Sequence, residues 1–373
     1  MVEDMRYICL SDLHLGQDGT DGSGQCSLLS SNQKGGARDQ FIDKCREFAG
    51  KDKAVLVLVG DALDFSLADP SFCLHELDSL ICDLNCIGKV EYVAGNHDHH
   101  IWTANCEAAF WHRYTPPGTT IYKPTNLTGD YCQIADYKFG PTNVKIAYPI
   151  LKHETLAGPT LIFTHGHLQG GMYNLLSRIL KPYILGQYSA SEASATVNTP
   201  IIELIYWQLG QIGCQMGADG LIEATYTDLL KGKDALALQL VDRIVDELFP
   251  DGLVKGIPDS WERAALKWVG KRLVKLWASS SGKIVSSDRY KDREKTRVLI
   301  SEWSLIEPIV WTAPSPFIYI TGHTHIKDTW SEGVDKFYNL GSWLIEPEHP
   351  TPDAVALFIS DEEGHLRVEP QLF

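Results

Sequence analysis

Apolar positions in the first hundred residues switch repeatedly between continuous runs and a helical period. Residues 6–10 (RYICL), apolar after Arg6, predict a strand, and residues 54–59 (AVLVLV) form a run apolar throughout, as a strand buried on both faces requires. Helical spacing covers 37–49 and 71–86, and a third strand is expected at 90–94. This β-α-β-α-β order predicts parallel strands with right-handed crossovers. Between the first strand and first helix, the Gly- and Ser-rich stretch 16–36 predicts a mobile loop.

From 119 to 148 short apolar stretches are punctuated by Pro, Gly and Asn, which predicts antiparallel pairing. Strands are expected again at 160–163, 317–320 and 337–340, with a hairpin from 355–359 to 365–369 around Glu363-Gly364. Residues 168–297 differ in kind. Leu240, Val241, Ile244, Val245 and Leu248 recur at helical spacing, and Asp259 with Glu262 forms a capping-box pattern. The expected organisation is an α/β core of 1–167 and 298–373 interrupted by a helical insertion over 168–297.

Composition narrows this little. A formal charge of −15 weighs against a general nucleic-acid or anionic-membrane binder. No apolar run can span a bilayer, since the nearest, 201–216, contains Glu203, Gln208 and Gln211. The N-terminus leads straight into a strand, and nine cysteines form no Cys-x-x-Cys pair, so reduced thiols in a cytoplasmic protein are expected. Cys82 and Cys86, one helical turn apart, are expected in the core.

The chemistry gathers where strands end. Asp12-Leu13-His14 follows the first strand, Gly60-Asp61-Ala62-Leu63-Asp64 the second, and Gly95-Asn96-His97-Asp98 the third. Thr164-His165-Gly166-His167 and Gly322-His323-Thr324-His325 follow two later ones. The carboxyl ends of strands are where open α/β sheets keep ligands. Asp, Asn and His are donors for borderline or hard divalent cations, and five such clusters would not gather at five strand ends by chance. His99 and His100 are expected as pocket-wall or surface residues.

In these five ordered blocks the sequence resembles the calcineurin-like metallophosphoesterases. The resemblance implies a four-layer α-β-β-α sandwich of two mixed sheets, here carrying a helical cap insertion, and a dinuclear centre. Asp12, His14, Asp61 and His325 would hold one metal, and Asp61, Asn96, His165 and His323 the other, with manganese expected first and iron, zinc or magnesium as alternatives. A water shared by the two metals would be acidified and attack phosphorus. His97 would be the acid for the leaving group and Asp64 the carboxylate that orients it.

The family acts on phosphomonoesters, phosphodiesters and pyrophosphates, so the blocks leave the substrate open. Its protein-phosphatase branch carries Arg where this chain has Phe65, which counts against a phosphoprotein substrate. The blocks around Asp12 and around Asn339-Leu340-Gly341-Ser342-Trp343 look more like the UDP-2,3-diacylglucosamine pyrophosphatase group, which also carries a cap, although this insertion is much longer and Asp64 stands where that group tends to have Glu. Residues 255–297 hold twelve Lys and Arg against five Asp and Glu, with Trp261, Trp268 and Trp277 among them. Such a helix suits an anionic, partly apolar substrate or a peripheral membrane contact. The expected function is hydrolysis of a small-molecule or lipid-linked phosphate or pyrophosphate. A nuclease or phosphodiesterase, a Ser/Thr protein phosphatase and a non-catalytic scaffold are the rivals.

Overall fold

A computed structural model describes residues 5–19, 25–33, 36–50, 53–104, 143–167, 316–347 and 349–373, with Thr199, Ile202, Glu203, Tyr206, Trp207, Ala264, Lys267 and Trp268. These last eight are helical; the rest of 168–297, including most of the basic stretch, lies outside the described residues, as does 119–142.

In chain order the strands are β1 (Met5–Leu10), β2 (Cys26–Ser27), β3 (Ala54–Val59), β4 (Ile87–Val93), β5 (Asn143–Ala147), β6 (Leu151–Glu154), β7 (Thr160–Phe163), β8 (Phe317–Thr321), β9 (Lys327–Glu332), β10 (Asp335–Leu340), β11 (Leu344–Ile345), β12 (Val355–Glu362) and β13 (His365–Leu372). Helices α1 (Ala37–Ala49) and α2 (Pro70–Asp83) stand between β2 and β4. Helix α2 starts where the sequence signals it: Asp69 accepts from the amides of Ser71 and Phe72, and Pro70 occupies the first turn. It stops at Asp83, earlier than the expected 86; Cys82, within it, is exposed and not in the core, while Cys86, beyond its end, is half-buried and packs against the core.

Two mixed sheets face each other. One has the order β13-β12-β1-β3-β4-β5, the other β6-β7-β8-β10-β9. Strand β3 explains why 54–59 has no polar position. Val55, Val57 and Val59 point between the sheets against Phe163, Ile320 and Leu340, while Ala54, Leu56 and Leu58 point outward onto Phe41 and Cys45 of α1 and Leu77 and Leu80 of α2. Burial on both faces removes the alternation that a half-exposed strand keeps. On the second sheet's outer face Ile162, Phe317, Tyr319 and Phe337 pack with Ile202.

Two expectations are corrected. Strand β5 runs parallel to β4, not antiparallel. Strand direction depends on where the chain re-enters a sheet, which local alternation does not encode. The described part of 16–36 is not a loose loop: β2 pairs with β11, and Ser27, Leu29 and Ser30 are buried. Polar ties hold it. Fully buried Arg38 donates to the Leu29 carbonyl and to Asp83, and Glu76 accepts from the Ser31 amide and hydroxyl, both at 2.6 Å.

The parallel strands β1, β3, β4, β7 and β8 bring their carboxyl ends to one edge of the sandwich, so all five sequence blocks share it.

Another polar tie joins the sheets. Glu91 of β4 is buried, receives Lys89 Nζ at 2.5 Å and bonds His153 of β6. Burial alone would raise its carboxyl, but the hydrogen bonds from His153 and Lys89 outweigh that and bring it from 4.5 to about 2. Because the folded value is depressed, this contribution is present above pH 4.5 and is lost as the pH falls toward 2. In chemical denaturation between pH 5 and pH 3, Glu91→Gln is therefore expected to flatten the wild-type loss of stability; an unaltered pH slope would remove Glu91 as its source.

Candidate metal centre

At the shared edge, Asp12, His14 and His325 bring one donor atom each to within 4.8 Å of one another, and Asp61, His165 and His323 do the same. Five of these six hold backbone conformations that residues with a Cβ avoid: φ is +52° at Asp12, +47° at His14, +48° at Asp61, +68° at His323 and +57° at His325. Each such conformation costs on the order of 1 kcal/mol, and strain of this kind persists where surrounding contacts over-determine it.

Those contacts come from the neighbouring blocks. Asp12 accepts the His323 amide through both oxygens, at 2.9 and 3.1 Å. Asp61 Oδ1 accepts the His97 amide at 2.8 Å. Glycines make the approach close enough. A Cβ on Gly95 would lie 2.1 Å from Asp61 Oδ1, and one on Gly322 would lie 2.1 Å from Asp12 Oδ2. The glycines of two sequence blocks therefore serve the carboxylate of a different block.

The chemistry of the donors points to cations. His165 Nδ1 lies 3.1 Å from the Val59 carbonyl, an acceptor, so that nitrogen carries the hydrogen. Its Nε2 then offers a lone pair, yet faces Asp61 Oδ2 at 2.9 Å and Asn96 Oδ1 at 3.2 Å. The other group repeats the pattern. His14 Nδ1 meets Asp64 Oδ2 at 2.9 Å and His325 Nδ1 meets Glu346 Oε2 at 3.3 Å, so both hydrogens point away from the centre. The two Nε2 atoms are left facing each other at 3.3 Å, with Asp12 Oδ1 3.4 Å from that of His325. Electron-rich atoms turned on one another need a cation or an added proton between them. Outward hydrogens bonded to carboxylates and carbonyls are also how ligating histidines are fixed. Both donor sets fit a divalent cation.

The charge pattern agrees. Burial opposes the charged form of Asp61, but His165 and His97 outweigh it and hold the carboxyl well below the usual range; Asp12 is lowered in the same way by His165 and His325. Burial lowers His165, but Asp61 and then Asp12 outweigh it and raise it to about 9, and burial and then His165 push His323 down to about 3; a ligating imidazole is neutral, so a cation in this group would take the place of the His165 proton.

Asp64 stands just behind this layer. It is fully buried, and its Oδ1 meets His97 Nδ1 at 2.9 Å. One carboxylate thus orients both His14 and His97. Ser66 Oγ lies 2.6 Å from Asp64 Oδ1 and from His97 Nδ1. Burial lowers the His97 value, but Asp64 and then Asp61 more than reverse this and raise it to about 10, so the imidazole keeps its proton at neutral pH. His167 bonds Tyr148 through Nε2 at 3.0 Å, with its ring 5.5 Å from that of His165 and 6.3 Å from that of His323. His99 is buried and His100 half-buried, both on Glu203.

Several supporting residues have roles that only tertiary contacts disclose. Asp98 ties the second block to the third, accepting from Tyr92 Oη at 2.5 Å, the Gly95 amide at 2.6 Å and the Ala62 amide at 2.8 Å. Glu346 is visible only through its contact with His325. Asn339 donates to Thr324 Oγ1 at 2.9 Å and the Trp343 amide to the Asp12 carbonyl at 3.0 Å, so the segment 339–343 backs the site.

Asp64→Asn is expected to weaken divalent-cation binding about ten- to hundredfold, because an amide cannot accept from both imidazoles. Calorimetric titration with Mn²⁺ checks this; unchanged affinity would mean that Asp64 does not orient His14.

The model of the calcineurin-like phosphoesterase family matches residues 5–198, just over half of the chain. Among solved structures, the chain is similar to a dimetal phosphatase from Danio rerio, at 11% identity and a TM-score of 0.36 over 99% of this chain and 96% of that one. It is also similar to a zinc complex of Vps29 from Entamoeba histolytica, at 9% identity and 0.31 over 99% of both chains. A third is the phosphopantetheinyl hydrolase of Mycobacterium tuberculosis, at 14% identity and 0.30 over 91% of this chain and 95% of that one. No curated protein matches the sequence. With five motif blocks at one sheet edge and two donor sets that fit divalent cations, the chain belongs to the calcineurin-like phosphoesterases, a family of metal-dependent phosphoester hydrolases.

Proposed function

We propose that the chain hydrolyses a small-molecule or lipid-linked phosphate or pyrophosphate at a dinuclear centre. Asp12, His14, Asp61 and His325 would hold one cation, and Asp61, Asn96, His165 and His323 the other, manganese being the first choice. The observation that carries this reading is the convergence of carboxylate oxygens with the Nε2 atoms of His14, His165 and His325, whose Nδ1 hydrogens point outward. Asp61 is the bridging candidate, since it sits in the His165 group and also feels the charge of His14 and Asp12. When bound, the two cations would neutralise phosphoryl oxygens and acidify the attacking water.

The chain's own residues supply the rest. His97 carries a proton and is fixed through Nδ1 by Asp64, which leaves Nε2 to donate to a leaving oxygen. Asp64, sealed from solvent, keeps that imidazole charged and oriented. Phe65 replaces the arginine of the protein-phosphatase branch and is buried, packing edge-on against Trp207 at 5.8 Å, so it offers no phosphate contact. That favours a substrate held by other means, for which the basic stretch 255–297 of the proposed cap is the candidate; the same stretch could rest on a membrane surface. Among the described residues no helix is long and apolar enough to cross a membrane. The cytoplasm is the compartment we propose, and the described cysteines are free thiols.

Chelation is expected to abolish hydrolysis of 4-nitrophenyl phosphate and added Mn²⁺ to restore it. Asp61→Asn should lose both bound metal and turnover. His97→Ala should keep its metal and lose about a hundredfold or more in kcat on phenyl phosphate, whose leaving group needs the proton, within the range for general acid catalysis. Full activity after exhaustive chelation would sink the metal-dependent reading, and equal metal loss in both variants would remove His97 as the acid.

A further inference from the structure

The described residues of the insertion do not sit at random over the core. Glu203 is held by three donors from the segment that follows the third motif block: His99 Nδ1 on Oε1 at 2.6 Å, His100 Nδ1 on Oε2 at 2.6 Å, and Thr103 Oγ1 on Oε1 at 2.9 Å. Burial would raise its carboxyl, but hydrogen bonds from His100 and His99 bring it to about 2, so the anchor stays charged. Four residues on, Trp207 stacks on the His100 ring at 3.7 Å with the planes 5° apart, and meets Phe65 of the second block edge-on. Between these two grips lies Tyr206, whose ring is 4.8 Å from that of His97 and tilted by 52°.

These contacts bear on how His97 is held. Its Nδ1 is pinned by Asp64 and Ser66, but one pinned nitrogen leaves the ring plane free to swing. Two ring contacts limit that swing, the edge of His14 at 4.8 Å and Tyr206 at 4.8 Å. The first belongs to the core. The second comes from the insertion and is itself fixed by Glu203 and Trp207.

We propose that Tyr206 is a positioning residue for the candidate acid His97, held in place by the Glu203 anchor. This rests on the proposed role of His97. A misplacement of about 1 Å in a group that must meet the leaving oxygen can cost on the order of a hundredfold, whereas a leaving group that departs without a proton is indifferent to it. The insertion would then tune the proton-donating step itself, beyond any role in substrate choice.

The test compares two esters with the Mn²⁺-loaded full chain. 4-Nitrophenyl phosphate has a leaving group that departs readily as the anion, and phenyl phosphate has one that needs the proton. Tyr206→Ala is expected to lower kcat on phenyl phosphate about tenfold more than on 4-nitrophenyl phosphate, with KM for the two changing alike, and Tyr206→Phe to recover most of that selective loss. Glu203→Gln, which leaves the His97 neighbourhood chemically intact and serves if Tyr206→Ala does not fold, should show the same selectivity in smaller measure. Equal loss on both esters, or no loss, in both variants overturns the proposal. His97→Ala separates this from the reading beneath it. If His97→Ala shows no selectivity, the acid role fails. If it is selective and the Tyr206 and Glu203 variants are not, only the positioning role fails.

Discussion

The site depends on burying carboxylates where water cannot reach them. Asp12, Asp61, Asp64 and Asp98 are all at most 2% exposed and lie along one sheet edge. Burying even one such charge is costly unless it is paired and hydrogen-bonded. Here each is given a partner by a block other than its own: His323's amide for Asp12, His97's amide for Asp61, two imidazoles for Asp64, and the Ala62 amide for Asp98. The blocks are interlocked by their charges, so none can be lost without stranding a carboxylate contributed by another.

Interlocking also accounts for the strained backbone. An Asp or His at positive φ is held there only if the gain from placing its side chain exceeds the conformational cost. At Asp12, His14, Asp61, His323 and His325 that gain comes from the donor geometry, with outward hydrogens fixed by Asp64 and Glu346 and inward lone pairs set against one another. Repulsion among those lone pairs is a standing demand for positive charge. The fold thus holds the residues in an arrangement that suits a bound cation better than it suits the chain alone.

The same logic separates what the sequence discloses from what it hides. The ligand candidates are legible because their residue types recur at strand ends, and those ends are marked by apolar runs. Strand β3 is legible for the same reason. Direction is not: β5 runs parallel because of where the chain re-enters the sheet. Burial of the described part of 16–36 is hidden too, because Glu76 and β11 lie far along the chain and nearby Arg38 shows its role only through its buried contacts. Asp98 is part of a recognisable block, but its task, tying Gly95 to Ala62, is set by tertiary contacts. Glu346 and Glu203 are ordinary acidic residues in the sequence and acquire meaning only from the histidines they meet. The candidate metal ligands belong to compact motifs; the residues that hold them are scattered.

The most direct test of the central claim is anomalous scattering from crystals of the chain grown with Mn²⁺. The account predicts two peaks about 4 Å apart, one bounded by Asp12, His14 and His325, the other by Asn96, His165 and His323, with Asp61 between them. A single peak, or density centred on Asp64 and His97 instead, would contradict it.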